Sequence, residues 1–200
     1  MDFIRIINFN KKECEEIANI ILEANNNTIL AQIGKNFIIN IFLKVCIFSK
    51  NINVFIVKDS NNIIGYAIIA KKQSLLNHEF KKFKFRIIYS LIINLNILKI
   101  FNLFLIFCKI DLKIFEKKDI LTVKNSLNLT YLAIHKDYRN KGIGKKFLDY
   151  IFSTYNDIST ISVETDNNYT LNFYKEYLNF EIVGIRRRLP KKLFLLIKNF

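Results

Sequence analysis

Tyr138-Arg139-Asn140-Lys141-Gly142-Ile143-Gly144-Lys145-Lys146 is the stretch whose reading decides the fold. Upstream, Leu129 to Ile134 has the composition of a strand. Downstream, Phe147, Leu148, Ile151 and Phe152 recur at helical spacing. A basic turn with two glycines therefore joins a strand to the first turn of a helix. There the first backbone N–H groups of the helix lack intrahelical acceptors, and the positive end of the helix dipole adds to them. Glycine lets a large anion come close to such a main chain, so the turn suits phosphate.

Composition sets wider bounds. Two hundred residues fit one domain, and 51% apolar content is enough for a sizeable core. Thirty-one basic against 17 acidic residues leave a net charge of +14, which favours an anionic partner. A nucleotide-bearing cofactor, nucleic acid and an acidic membrane surface all satisfy that demand. The basic residues are scattered and form no recognised nucleic-acid motif, so no nucleic-acid partner is expected. Abundant Ile, Asn, Lys and Phe are what an AT-rich coding sequence produces, so part of the charge is compositional background.

Cys14, Cys46 and Cys108 are odd in number and far apart, as reduced thiols are. With only His78 and His135 beside them, no zinc-type spacing can be assembled, and no metal is expected. Asp2 and Asn8 interrupt the apolar N-terminal residues, so a secretory core is lacking and the cytoplasm is the expected compartment.

Along the chain, Phe3 to Phe9 predicts a first strand. Glu13 to Ala24 predicts a helix through Ile17, Ile20, Ile21 and Ala24, and Phe37 to Phe48 predicts a second. Val54–Val57 and Ile63–Ile69, separated by Asp59-Ser60-Asn61-Asn62, predict a hairpin. Ile161–Glu164 predicts another strand, and Asp166-Asn167-Asn168 can cap a helix reaching about Leu178. Phe180–Ile185 and Leu193–Ile197 predict closing strands, with Asn179 placed where a left-handed residue is usual. Together these give one α/β domain over residues 1–200 with a mixed sheet, antiparallel at both ends.

Residues 71–126, apolar and basic, read as a helical insertion. Its densest part, Ile87 to Cys108, runs roughly 22 residues, long enough to span a bilayer. Lys99, Asn94, Asn96 and Asn102 argue against a crossing, and a crossing would also split one sheet across the membrane. Two readings stay open. The insertion packs on the domain or in a homodimer interface; or it docks on a membrane surface or lipid substrate at the inner membrane face, through Lys81, Lys82, Lys84 and Arg86 interleaved with Phe80, Phe83 and Phe85.

The run from Leu132 to Gly144 resembles the signature of the GNAT superfamily of N-acetyltransferases, a strand followed by Arg/Gln-x-x-Gly-x-Gly/Ala. Asp166 to Phe180 resembles the second GNAT signature, in which an asparagine stands seven residues before a tyrosine; Asn167 and Tyr174 hold those positions. The insertion is similar to that of a GNAT subgroup associated with cell-surface polysaccharide clusters. The resemblance implies a mostly antiparallel sheet with splayed central parallel strands, flanked by helices.

It also implies acetyl-CoA as cosubstrate, lying between the strands at Leu129–Ile134 and Ile161–Glu164. Main-chain groups of Leu132, Ala133 and Ile134 would pair with the pantetheine arm. N–H groups of Asn140, Lys141, Gly142, Ile143, Gly144 and Lys145 would hold the pyrophosphate, with charge from Arg139 and Lys141. Asn167 would bond the arm, and Tyr174 would protonate the leaving thiolate. Many relatives carry a glutamate near the start of the fourth strand. Here that stretch is Ser126-Leu127-Asn128, and Glu164 is the candidate base, with a water chain ending on main-chain carbonyls or a residue of the insertion as the alternatives. His135 is expected to be structural. The implied reaction is acetylation of a small-molecule amine, an amino sugar or sugar nucleotide in surface glycan synthesis. Acetylation of a protein or peptide, and a non-catalytic acetyl-CoA-binding module at a membrane surface, are the alternatives.

Overall fold

The computed structural model describes residues 1–24, 28–72, 75, 111–115, 123, 126–155, 158–188 and 191–200. Strand β1 (Asp2–Ile6) stops earlier than the apolar run suggests, because the chain turns away and leaves Ile7 86% exposed. Helix α1 (Lys11–Ala24) starts before Glu13, for a local reason. Asn10 Oδ1 accepts from Glu13 N at 2.9 Å while Glu13 Oε2 accepts from Asn10 N at 3.1 Å. This is a capping box, and it fixes the helix start at Lys11. Short helix α2 (Ile29–Ile33) follows, and then α3 (Lys35–Phe37), a π-helical turn (Ile38–Phe42) and α4 (Leu43–Phe48) run on without a break over the range in which a helix from Phe37 to Phe48 is expected.

The hairpin is β2 (Ile52–Asp59) and β3 (Asn62–Ala70), turned by Ser60 and Asn61, both at positive φ. Then come β4 (Asp111–Phe115), β5 (Leu127–Ile134), α5 (Ile143–Ser153) and β6 (Thr160–Thr165). Helix α6 (Asn168–Asn172) runs into a π-helical turn (Phe173–Tyr177), and β7 (Glu181–Arg188) and β8 (Lys191–Asn199) end the chain. Asn179 takes φ +57°, the left-handed link that its position predicts.

Among the described residues eight strands form one sheet, in the order β1-β2-β3-β5-β6-β8-β7-β4. Only β5 and β6 are parallel; the other neighbours are antiparallel. On one face Ile17, Ile20 and Ile21 of α1, with Phe37, Ile38, Phe42 and Leu43, pack against Val54, Ile56, Tyr66 and Ile68. On the other, Ile143, Phe147, Leu148 and Ile151 of α5 pack with Tyr174 and Leu178 against Phe55, Ala67, Ile69, Leu129 and Val163. The hairpin is thus buried on both sides. Its near-continuous apolar sequence, which lacks polar alternation, follows from that.

The insertion corrects one expectation. Asp111–Phe115 is a strand, paired antiparallel with β7 from Asp111↔Arg188 to Phe115↔Gly184. Asp-Leu-Lys-Ile alternates with period two, and the segment covers an otherwise open edge of β7. Both readings of the rest of the insertion, a packed helix or a membrane-surface helix, fall on residues outside those described. Among the described residues no helix is long and apolar enough to cross a membrane.

Candidate active site

The parallel β5–β6 contact is short. It holds only the pairs Leu127↔Ile161, Asn128↔Ser162 and Leu129↔Val163, and then the two strands part. At the same point the β3–β5 register slips: Ile69 faces Leu129 but Ile68 faces Tyr131, so Thr130 is an extra residue in β5. Such a bulge bends and twists its strand. Beyond it, Leu132, Ala133 and Ile134 pair with β3 on one side, opposite Ala67, Tyr66 and Gly65. On their other side no ladder to β6 continues. A gap opens there inside the sheet, edged by main chain that can receive a further extended group.

The far end of the gap is the opening turn. Gly142 stands at the N-cap of α5 with φ +73°, and no side chain caps the helix. The first helical hydrogen bond runs from Lys146 N to Gly142 O at 3.2 Å. The N–H groups of Ile143, Gly144 and Lys145 therefore lack intrahelical acceptors and suit an anion. Asn140, at φ +60°, supplies a second left-handed residue in the turn.

Arg139 Nε donates to Ile134 O at 2.8 Å, and Lys141 Nζ donates to Asp137 O at 2.8 Å while lying 5.3 Å over the Tyr138 ring. Both cations are tied to the turn's own main chain, so their charge is held in place. A Cβ on Gly142 would meet nothing within 4 Å, whereas one on Gly144 would lie 3.5 Å from Phe173 Cζ. The two glycines therefore do different work.

Asn167 caps α6: its Oδ1 accepts from Tyr169 N at 2.8 Å and from Thr170 N at 3.4 Å. Its carboxamide oxygen is engaged, leaving Nδ2 as the group able to donate to a ligand. Tyr174 is 3% exposed, in the π-helical turn, with ring centroids 5.5 Å from Phe173 and 5.3 Å from Phe180. Burial pushes its phenol above the ordinary value, so the hydroxyl keeps its proton at neutral pH.

Glu164 follows Val163, the last residue of β6 paired to β5. Val163 belongs to the same core layer as Tyr174, so by strand alternation Glu164 projects to the opposite face. Candidate acid and candidate base thus lie on opposite faces of the sheet.

On the face of Glu164, polar side chains join across β5 and β6. Thr130 Oγ1 donates to Asn128 Oδ1 at 2.9 Å, Asn128 Nδ2 to Ser162 Oγ at 3.2 Å, and the Ser162 and Ser126 hydroxyls lie 2.7 Å apart. Ser126 Oγ also donates to Val123 O at 2.8 Å, linking the network to the end of the insertion. Asn128, Ser126 and Ser162 are buried. Sequence reasoning noted only that this place lacks a carboxylate. Polar residues inside the buried runs Leu127–Leu129 and Ile161–Val163 were the signal for the network.

His135 sits outside this chemistry. Its N–H donates to Ile64 O at 2.7 Å, and its ring lies 3.6 Å from both Glu23 Oε2 and Asp137 Oδ2, consistent with a structural role. Cys46 is buried and its thiol is pushed up by burial; the Cys14 thiol is raised for the same first reason. Neither suits an acyl carrier. Among the described residues no group of three or more His, Cys, Asp or Glu could hold a metal.

Residues 109–182 match the family model described as an acetyltransferase (GNAT) domain, a span that includes both signatures and the gap. No curated protein matches the chain. An acetyltransferase from Thermus thermophilus superposes with a TM-score of 0.61 at 10% identity, covering 100% of this chain and 98% of that one. A ribosomal-protein-alanine N-acetyltransferase from Escherichia coli gives 0.55 at 11% identity, covering 99% and 92%. An aminoglycoside 6'-acetyltransferase type Ii gives 0.57 at 12% identity, covering 100% and 97%.

Proposed function

We propose that this chain takes its acetyl group from acetyl-CoA, a reading supported by the match of residues 109–182 to an acetyltransferase (GNAT) domain, and acetylates the primary amine of an amino sugar or sugar nucleotide by direct attack. The observation that carries the reading is the gap between β5 and β6, with main chain of Leu132–Ile134 along it. The uncapped N-terminus of α5 closes one end. In this reading the thioester lies in the gap and the pyrophosphate meets the N–H groups from Asn140 to Lys145. Asn167 Nδ2 donates to the pantetheine arm.

The amine nitrogen forms a bond to the thioester carbonyl carbon and the C–S bond breaks. The nitrogen's surplus proton leaves toward Glu164, and the thiolate is met by the phenol of Tyr174. No acyl-enzyme is invoked.

The fold does not choose the acceptor, since it is shared by an aminoglycoside acetyltransferase and a ribosomal-protein-alanine acetyltransferase. The net charge of +14 favours an acceptor bearing diphosphate, as sugar nucleotides and lipid-linked sugars do. The resemblance of the insertion to that of the surface-polysaccharide subgroup points the same way. A free-thiol assay with acetyl-CoA against amino sugars, sugar nucleotides, peptides and polyamines tests the proposal. Turnover confined to peptides refutes the acceptor class, and no turnover with any amine refutes the reaction. Tyr174→Phe is expected to lower kcat by about 10²- to 10⁴-fold, the range for a positioned acid, with acetyl-CoA affinity unchanged.

A further inference from the structure

Beyond its pyrophosphate, acetyl-CoA carries an adenine base, which must lie close to the turn that grips the phosphates. Tyr169 stands in the first turn of α6, and its phenolic O–H donates to Oδ1 of Asn140 within that turn. Its ring is nevertheless 71% exposed. The neighbours on the same stripe behave differently. Phe173, four residues on, is half-buried and lies against the position a Cβ on Gly144 would take. Tyr177, a further turn along, is 62% exposed but lies against Phe173 with ring centroids 6.3 Å apart.

Tyr169 is therefore a large aromatic face, fixed at its hydroxyl to the phosphate turn and left open to solvent. Packing among the described residues does not account for it. Every nucleobase has a π-face, and aromatic side chains stack on it without needing a particular hydrogen-bond pattern.

We propose that Tyr169 is the platform on which the adenine of acetyl-CoA stacks. This rests on the acetyl-CoA reading above and adds a residue that discriminates the complete cofactor from its phosphopantetheine part. The hydroxyl bond to Asn140 sets the ring beside the pyrophosphate donors, and the ring supplies the contact.

The test is calorimetric titration of the full chain with coenzyme A and with 4'-phosphopantetheine, which keeps one phosphate and lacks the 3'-phospho-AMP half, with Tyr169→Phe separating the ring from the hydroxyl bond to Asn140. Tyr169→Ala is expected to weaken coenzyme A about tenfold, and at least about fivefold, while 4'-phosphopantetheine changes by less than about twofold. Tyr169→Phe and Tyr169→Trp, which keep a ring, are expected to retain the preference for coenzyme A. Tyr177→Ala leaves both affinities as they were. Equal weakening of both ligands by Tyr169→Ala would overturn the proposal, because the residue would then act only through Asn140. A preference undiminished in Tyr169→Ala overturns it as well. Failure of the unsubstituted chain to bind either ligand instead overturns the acetyl-CoA reading beneath it.

Discussion

Gly142 and Gly144 look equivalent in sequence, yet alanine at the two positions should have opposite effects on stability. Gly142 needs its φ of +73°, a conformation that costs an L-residue about 1–2 kcal/mol. Open space around its would-be Cβ does not relieve that cost. In a chain of 200 residues each kcal/mol moves Tm by about 2–4 °C, so Gly142→Ala should lower Tm by about 2–8 °C. Relaxation of the turn would also re-aim the N–H groups of Ile143 and Gly144, so acetyl-CoA binding should weaken.

Gly144 is helical, and its added methyl would meet Phe173 Cζ at an ordinary 3.5 Å, toward α6. Replacing a helical glycine with alanine gains about 0.5–1 kcal/mol, or about 1–4 °C in Tm. Acetyl-CoA affinity should stay within about twofold of the parent, since the methyl lies against Phe173. Gly142→Asn serves as an internal check. Asn140 and Asn179 already hold φ of +60° and +57° in this chain, so asparagine should cost less than alanine. Thermal unfolding with and without acetyl-CoA reads all three variants. A Gly144→Ala protein that loses tenfold in acetyl-CoA affinity would refute the reasoning, because the ligand would then approach the Cα from the side assigned to α6.

Glu13 and Glu164 each carry a further expected outcome. Burial raises the Glu13 carboxyl, but the bond from Lys58 at 2.7 Å, the Asn10 N–H and the Lys58 charge together outweigh it, and the net shift is downward. A depressed folded-state value contributes stability that is present above about pH 4.5 and lost as pH falls through the lower folded value. The Tm difference between the parent and Glu13→Gln should therefore shrink on going from pH 7 to pH 3; a constant difference would dismiss the linkage. For Glu164→Gln, loss of a working base should cut kcat/KM by about 10²- to 10⁴-fold, with acetyl-CoA affinity retained. A loss below tenfold would assign the amine's proton to water instead.

Much of this fold was legible because its signals are local. The unbroken β-branched and aromatic run Val54–Val57, the helical spacing from Ile143 to Ile151, and the cap chemistry of Asn167 act within a few residues of where they are written. What the sequence hid depends on distant partners. Strand β4 exists through pairing with Arg188, more than 70 residues away, and nothing within the segment names that partner. The bulge at Thr130 is visible only as a slip between β3 and β5. The early start of α1 was within reach, since Asn10 and Glu13 stand at capping-box spacing; the apolar run through Phe9 masked it. At the candidate site, the glycines and Tyr174 are candidates that the sequence itself offers. The division of labour between Gly142 and Gly144 could not, because only a packed Phe173 separates them.

The raised phenol of Tyr174 constrains how it can assist the leaving group. An alkyl thiol such as that of cysteine ionises near pH 8.5, well below a buried phenol. Full proton transfer from Tyr174 to the thiolate would thus run uphill. A phenol held neutral is instead a strong donor to a developing anion in a site that excludes water. Transfer becomes downhill only if the phenol is resupplied by the acetylated amine's acidic ammonium. On the opposite face, the side chains of β5 near the gap are the neutral groups of Asn128 and Thr130. Glu164 is the one carboxylate on β5 or β6. If the ammonium proton leaves by Glu164, Tyr174 acts by hydrogen bonding and the two substitutions should be close to additive. If the proton is relayed to Tyr174, removing either group disables the same path, and the Tyr174→Phe, Glu164→Gln double variant should be no slower than the slower single one.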